Sequence, residues 1–208
     1  MAGIPTIAPY QVPGTTDVCA NIASWHPSPE RAALLVHDMQ RFFLRPLPAH
    51  AIAHPLVENV THLVTRARKL GVPIAYTAQP GGMTPAQRGL LKDFWGPGMA
   101  VAPADREIAG GLSPQSGDWI FTKWRYSAFF KSDLLRSLRE AGRDQLIICG
   151  VYAHIGILAT AIDAFSNDIE TFIVADAVAD FNRDDHLMAL NYAARSCAVV
   201  TRTEEVWQ

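Results

Sequence analysis

A beat of short apolar runs begins after residue 30. RAALLVHDMQ (Arg31–Gln40), VPIAYTAQ (Val72–Gln79), DWIFTK (Asp118–Lys123), QLIICGV (Gln145–Val151) and TFIVAD (Thr171–Asp176) each hold an apolar stretch with polar residues at or near its ends, and Ala198–Thr203 is a weaker sixth. Apolar residues that run together, without alternating with polar ones, suit strands buried on both faces, as in a parallel sheet. Helical spacing fills most of the gaps. From Pro55, residues Leu56, Val57, Val60, Leu63, Val64, Ala67 and Leu70 repeat near 3.6, with a proline in the first turn and Gly71 as the stop. Ser132–Ala141 carries Leu134, Leu135 and Leu138 and halts at Gly142. Gly156–Asn167 carries Ile157, Leu158, Ala161, Ile162 and Phe165. Asn182 is placed to cap a last helix through Ser196, with Leu187, Met188, Leu190 and Ala194 turned inward.

Strand and helix in alternation predict an α/β fold: three α/β/α layers around a central, mostly parallel sheet of about six strands. The chain reads as one domain over residues 1–208, in which residues 1–30, rich in proline and poor in periodicity, form an extended arm. Pro80–Gly117 has no obvious strand and several Gly and Pro turns; a long insertion of this kind between core strands is expected to cover a site.

Composition narrows the function. A formal charge of -2 on 208 residues is far from the basic balance of a nucleic-acid binder. No apolar run has the length of a membrane span, and the first residues lack a basic segment followed by a hydrophobic one, so neither a membrane nor an export route is expected. Cys19, Cys149 and Cys197 are too scattered for a disulfide scaffold or a zinc knuckle, which fits a reduced cytoplasm.

The chemistry should lie at the strand ends, because open α/β sheets bind ligands beyond the carboxyl edge. Asp38, Gln79, Lys123 with Arg125, and Val151–Tyr152 close the first four strands. Each has a plainer reading: Asp38 as a turn cap, Lys123 as an exposed lysine, and Trp95, Trp119 and Trp124 as packing. Together, a carboxylate and an ammonium on neighbouring strand ends form a pair that tunes a proton donor, and Trp95, in the Gly–Pro loop, is placed to wall a ring-shaped substrate. His50 and His54 have a metal-ligand spacing, but Pro55 disfavours helical geometry at His54 and no zinc-protease glutamate accompanies them. Dinucleotide, Walker and G-x-S-x-G signatures are absent, and Cys149 sits within an apolar strand as a small hydrophobe.

In LLVHDMQ (Leu34–Gln40), YTAQPG (Tyr76–Gly81), LLKDFWGPG (Leu90–Gly98), TKWRYSAFF (Thr122–Phe130), GVYAHIG (Gly150–Gly156) and VADAVADF (Val174–Phe181), the chain resembles the isochorismatase-like hydrolases, from about Ile4 to Glu205. Cysteine amidases of that superfamily use an Asp-Lys-Cys triad. Asp38 and Lys123 match its first two members, but the cysteine position reads Gly156 and the amidase metal histidines have no counterpart near Gln79–Met83. Without a thiol no thioester forms. The resemblance therefore implies cleavage of the enolpyruvyl ether of a chorismate-derived ring, without metal or cofactor, by a homodimer acting on a small dicarboxylate. The substrate is 2-amino-2-deoxyisochorismate, as in phenazine synthesis, or isochorismate, as in siderophore synthesis. The stretch Arg41–Pro48 and the end of the chain at Gln208, without an aryl-carrier domain, favour the first; a catalytically inactive scaffold is the rival class.

On the same resemblance Asp38 is the acid that protonates the vinyl carbon and Lys123 its partner. Gln79, Arg88, Arg125, Val151, Tyr152 and the Gly156 amide, read at a helix start, contact the substrate, Phe42 and Trp95 line the pocket, and the missing side chain at 156 leaves room for the ring. Lys123 should lower the pKa of Asp38, whereas an apolar pocket and substrate carboxylates should raise it.

Overall fold

The computed structural model describes residues 3–208. Six strands form one sheet in the order β3-β2-β1-β4-β5-β6: β1 (Ala32–His37), β2 (Ile74–Ala78), β3 (Trp119–Thr122), β4 (Gln145–Val151), β5 (Glu170–Ala179) and β6 (Val199–Thr201). Every pairing between neighbours is parallel. The helices are α1 (Arg41–Leu44), α2 (His54–Leu70), α3 (Pro85–Arg88), α4 (Leu91–Trp95), α5 (Pro103–Arg106), α6 (Leu134–Glu140), α7 (Leu158–Phe165) and α8 (Arg183–Ser196).

Strand alternation builds two cores. Ala32, Leu34 and Val36 of β1 pack with the apolar stripe of α2, while Ala33 and Leu35 face the layer of α6, α7 and α8. This is the uninterrupted hydrophobicity of the strands made physical, since both faces are covered. Proline in the first turn of α2 and Gly71 at φ 68 bound that helix as the spacing requires. Asn182 caps α8 by accepting a hydrogen bond from the Asp185 amide at 2.9 Å.

One inward assignment needs correction: Met188 of α8 is exposed, and of the apolar residues that α7 carries Ile162 and Phe165 are exposed too. Thr160, Ala161 and Ala164, and His186, Ala189 and Ala193, face inward instead, because small side chains let these helices seat close to the sheet. The strand read as Thr171–Asp176 runs on to Ala179, and Gly156 lies not at the start of α7 but within a π-helical turn, Ala153–Ile157, that leads into it.

The sheet order places the topological switch between β1 and β4: from β1 the chain goes outward to β2 and β3, then returns to β4 on the other side. Gly150, next to His37 in the register, has φ 118, and a Cβ there would lie 2.1 Å from the His37 carbonyl oxygen, so only glycine fits. The Pro80–Gly117 segment folds as α3, α4 and α5 over the carboxyl edge, tied to the end of β1 by the bridge between Gln40 and Ile108. The N-terminal arm is anchored by buried Ile7 and by Asn21, which exchanges two hydrogen bonds with Val200 of β6. Among the described residues no helix is long and apolar enough to cross a membrane.

Candidate active site

A cleft opens above the β1/β4 switch, where open α/β sheets bind small molecules. Asp38, Phe42, Gln79, Arg88, Trp95, Lys123, Arg125, Val151, Tyr152 and Gly156 all line it. Four strand ends, α1, the covering segment and the turn before α7 therefore converge on one space.

Asp38 lies at the floor. Its backbone has φ 52, a left-handed conformation that Asp tolerates better than most residues. Thr77, opposite His37 on β2, accepts from the Asp38 amide at 3.0 Å, and its hydroxyl donates to Asp38 Oδ1 at 2.6 Å. Lys123 Nζ is 3.3 Å from Asp38 Oδ2 and donates to the Arg125 carbonyl at 2.6 Å. Both side chains are almost fully buried. Burial pushes the Asp38 carboxyl up, but the Lys123 ammonium, His37 and the Thr77 hydroxyl outweigh it and hold it below the usual carboxylate range. Burial likewise pulls the Lys123 ammonium below the ordinary lysine value, against the opposing pull of Asp38.

Two guanidinium groups complete the polar half. Arg88 is buried; its Nε donates to the Gly96 carbonyl at 2.9 Å, and its terminal nitrogens reach Gln79 Oε1 and the Trp95 carbonyl, each at 3.3 Å. Arg125 donates to the Gln87 and Trp124 carbonyls. Neither meets a carboxylate among the described residues. Gln79 is fixed by Gln40, whose Oε1 accepts from the Gln79 amide at 2.7 Å and whose Nε2 donates to the Gln79 carbonyl at 3.0 Å.

The other half is aromatic. Phe42 packs edge-on against Phe43, and Trp95 and Tyr152 pack against Phe181 with ring centroids 5.7 and 4.6 Å apart. Trp95 Nε1 donates to the Tyr126 hydroxyl at 2.8 Å. The Tyr152 hydroxyl donates to the Phe43 carbonyl, so its one hydrogen is already engaged. The Val151–Tyr152 peptide is cis.

Ile4, Phe43, Leu91, Tyr126, Ile155 and Phe181 also line the cleft and were missed by the sequence reading. Phe181 had a signal, because the apolar run of the fifth strand extends to Ala179 and directs the next residues to the same rim. Ile4 had none: the arm reaches the mouth only through the fold. Gly156 calls for a further correction. A Cβ at this position would meet His37 Cε1 at 2.3 Å, so the space beside this glycine is filled by protein, not left for a ring. Among the described residues no group of three or more His, Cys, Asp or Glu is arranged to hold a metal; His50 and His54 meet edge to face, 5.0 Å between ring centres.

The model of the isochorismatase domain matches residues 32–205. The chain is 60% identical over 206 residues to the phenazine biosynthesis protein PhzD of Pseudomonas fluorescens, covering 99% of each chain. It is 49% identical to an isochorismatase of Bacillus subtilis, covering 98% of this chain and 65% of that one. A crystal structure of a cysteine hydrolase from Pseudomonas syringae pv. phaseolicola superposes with a TM-score of 0.79 at 27% identity, over 88% of this chain and 93% of that one. The chain belongs to the isochorismatase family.

Proposed function

We propose that this protein hydrolyses the enolpyruvyl ether of 2-amino-2-deoxyisochorismate, releasing pyruvate and trans-2,3-dihydro-3-hydroxyanthranilate in phenazine biosynthesis. The observation that carries the reading is the charge of the cleft. Among the described residues Lys123, Arg88 and Arg125 face it against the single carboxylate of Asp38, an excess of two positive charges that suits a substrate with two carboxylates. The aromatic wall suits its ring, and the 60% identity to PhzD supports the amino-substituted substrate.

The chemistry needs an acid at carbon. A vinyl ether is nucleophilic at its terminal methylene, and Asp38 delivers a proton there, making a methyl group and an oxocarbenium ion. Water adds to the oxocarbenium carbon and gives its proton to the Asp38 carboxylate. The hemiketal then collapses to pyruvate, with the bridging oxygen kept by the ring as its hydroxyl. Lys123 stabilises the Asp38 carboxylate as it forms. In the empty site Asp38 is ionised; two substrate carboxylates and the exclusion of water raise it, so substrate and proton bind together. Among the described residues no cysteine lines the cleft, and Cys149 lies inside β4 with its thiol pushed up by burial, which leaves an amide-cleaving thioester route without its nucleophile.

We also infer a cytoplasmic homodimer. Exposed Leu90, Phe94 and Ile120 support an interface between copies, and three cysteines without disulfides suit a reducing compartment. Sedimentation at micromolar concentration tests the dimer.

Pyruvate release coupled to lactate dehydrogenase, with each ether offered separately, tests the reaction. Higher kcat/KM with 2-amino-2-deoxyisochorismate is expected. A preference for isochorismate would assign the siderophore reaction instead, and no release from either would overturn the reading.

A further inference from the structure

We propose that His37 is a positioning residue of this site: its buried imidazole fills the space of a side chain at 156 and ties the Val151 end of β4 to the strand that presents Asp38. The proposal rests on the ether-cleaving reading above, but its packing half stands on geometry alone.

His37 is the last residue of β1 and is fully buried. It continues the face of Ala33 and Leu35, so its ring enters the layer of α6–α8, beneath the turn that carries Gly156. That layer is otherwise aliphatic where it meets β1, and a leucine would fill it without a polar cost. The imidazole instead makes two specific contacts. Nδ1 lies 2.8 Å from the Val151 carbonyl; a carbonyl only accepts, so Nδ1 carries the hydrogen and the ring is held in one orientation. The far edge of the ring lies against Gly156, where an ideal Cβ would be 2.3 Å from Cε1 and 2.9 Å from Nε2. A buried, planar ring already bonded at Nδ1 has no room to yield. The Tyr126 backbone also acts on the ring and favours its protonated form, although Nε2 makes no hydrogen bond of ordinary geometry among the described residues.

The functional link is distance. His37 Nδ1 is 3.8 Å from Asp38 Oδ2, and His37 bonds the carbonyl of Val151, which lines the cleft. One ring therefore sets the spacing between the proton donor, the Val151–Tyr152 floor and the Gly156 backbone without itself lining the cleft. The glycine at 156 and the histidine at 37 are one device: a side chain at 156, the nucleophile of the amidase plan included, cannot be accommodated while His37 is in place.

Two substitutions separate the contacts. His37→Asn keeps a donor at the Nδ1 position and empties the ring edge beside Gly156; His37→Leu fills the volume and removes the donor. We expect His37→Leu to lower kcat about 100-fold, the scale of a misplaced reacting group, with KM nearly unchanged because His37 does not touch substrate. His37→Asn should recover kcat to within about tenfold of wild type. Equal loss in both variants, or a loss confined to KM, would overturn the positioning role. The packing half needs no substrate. Gly156→Ala alone should lower Tm or prevent folding, and the same change in a His37→Asn background should leave Tm where His37→Asn puts it. His37→Ala, which frees the same volume, stands in if His37→Asn does not fold. Additive losses, or a double variant that does not fold where its His37 parent does, would overturn it. If the wild-type protein releases no pyruvate the parent reading fails while this thermal cycle still decides the pair; if the wild type is active and the cycle additive, only the present proposal fails.

Discussion

Lys123 Nζ and Asp38 Oδ2 are 3.3 Å apart in a nearly solvent-free floor, so the residue proposed as the proton donor rests beside the one charge best able to keep it ionised. That juxtaposition makes the protonation of Asp38 a property of the complex rather than of the free protein.

Asp38→Asn is expected to lower kcat by about 10² to 10⁴, the contribution of one positioned acid. Substrate dissociation constants should hold or tighten, because the change removes the one carboxylate that, among the described residues, faces the cationic half. Single-turnover rates and equilibrium binding of substrate check this; weaker binding with unchanged kcat would make Asp38 an anchor. In D₂O the wild-type reaction should place one deuteron in the pyruvate methyl group, and in ¹⁸O water the ring hydroxyl should stay unlabelled.

A depressed Asp38 sets the sign of the pH dependence. Above its folded value the protonated fraction of the free enzyme falls tenfold per pH unit, so log kcat/KM should decline with a slope near -1 from about pH 5 to pH 8. kcat, which reports the complex, should stay level over part of that range. Calorimetric titration of substrate at pH 7 in two buffers of different ionisation enthalpy should reveal proton uptake on binding. Lys123→Met removes the largest of the influences that oppose burial at Asp38, and should move the fall of kcat/KM to higher pH.

Arg88 is held under the Gly96–Gly98 turn, where Gly98 has φ 82 and a Cβ would lie 2.8 Å from the guanidinium carbon. Gly98→Ala should push Arg88 out of place and raise KM by about 10- to 100-fold, the worth of a charge-assisted hydrogen bond, with kcat changed little. Steady-state kinetics check it, and a drop confined to kcat would remove Arg88 from substrate binding.

Acid stability follows from two buried histidines. Burial pushes both His37 and His186 down to about 4. Between pH 4 and the ordinary value of 6.5 the unfolded chain binds these protons and the folded one does not, so stability is complete above the unfolded value and falls as pH drops. Each histidine accounts for about 3 kcal/mol over that window. His154 works the other way: burial lowers it, but the hydrogen bond and charge of Asp180 raise it above its ordinary value, so its contribution is lost as pH rises through the folded value. Tm should fall steeply from pH 6.5 to 4, and the slope should shrink by one proton in His37→Asn.

The layer architecture was legible in the chain because its signals are local. Unbroken apolar runs such as Leu146–Cys149 belong only in a sheet covered on both faces, and Pro55 and Gly71 bound a helix wherever it packs. The proposed site was legible to the same depth: parallel strands direct their ends to one rim, so Asp38, Gln79 and Lys123 share a cleft by polarity alone. The tertiary structure decided what depends on distances between residues remote in sequence. The Asp38–Lys123 separation sets which charge state Asp38 rests in. The arm carries Ile4 to the mouth of the cleft. Above all, the reason for glycine at 156 lies in His37, far away in the chain. An absent side chain looks like space in a sequence, and only the packed structure shows that the space is already filled.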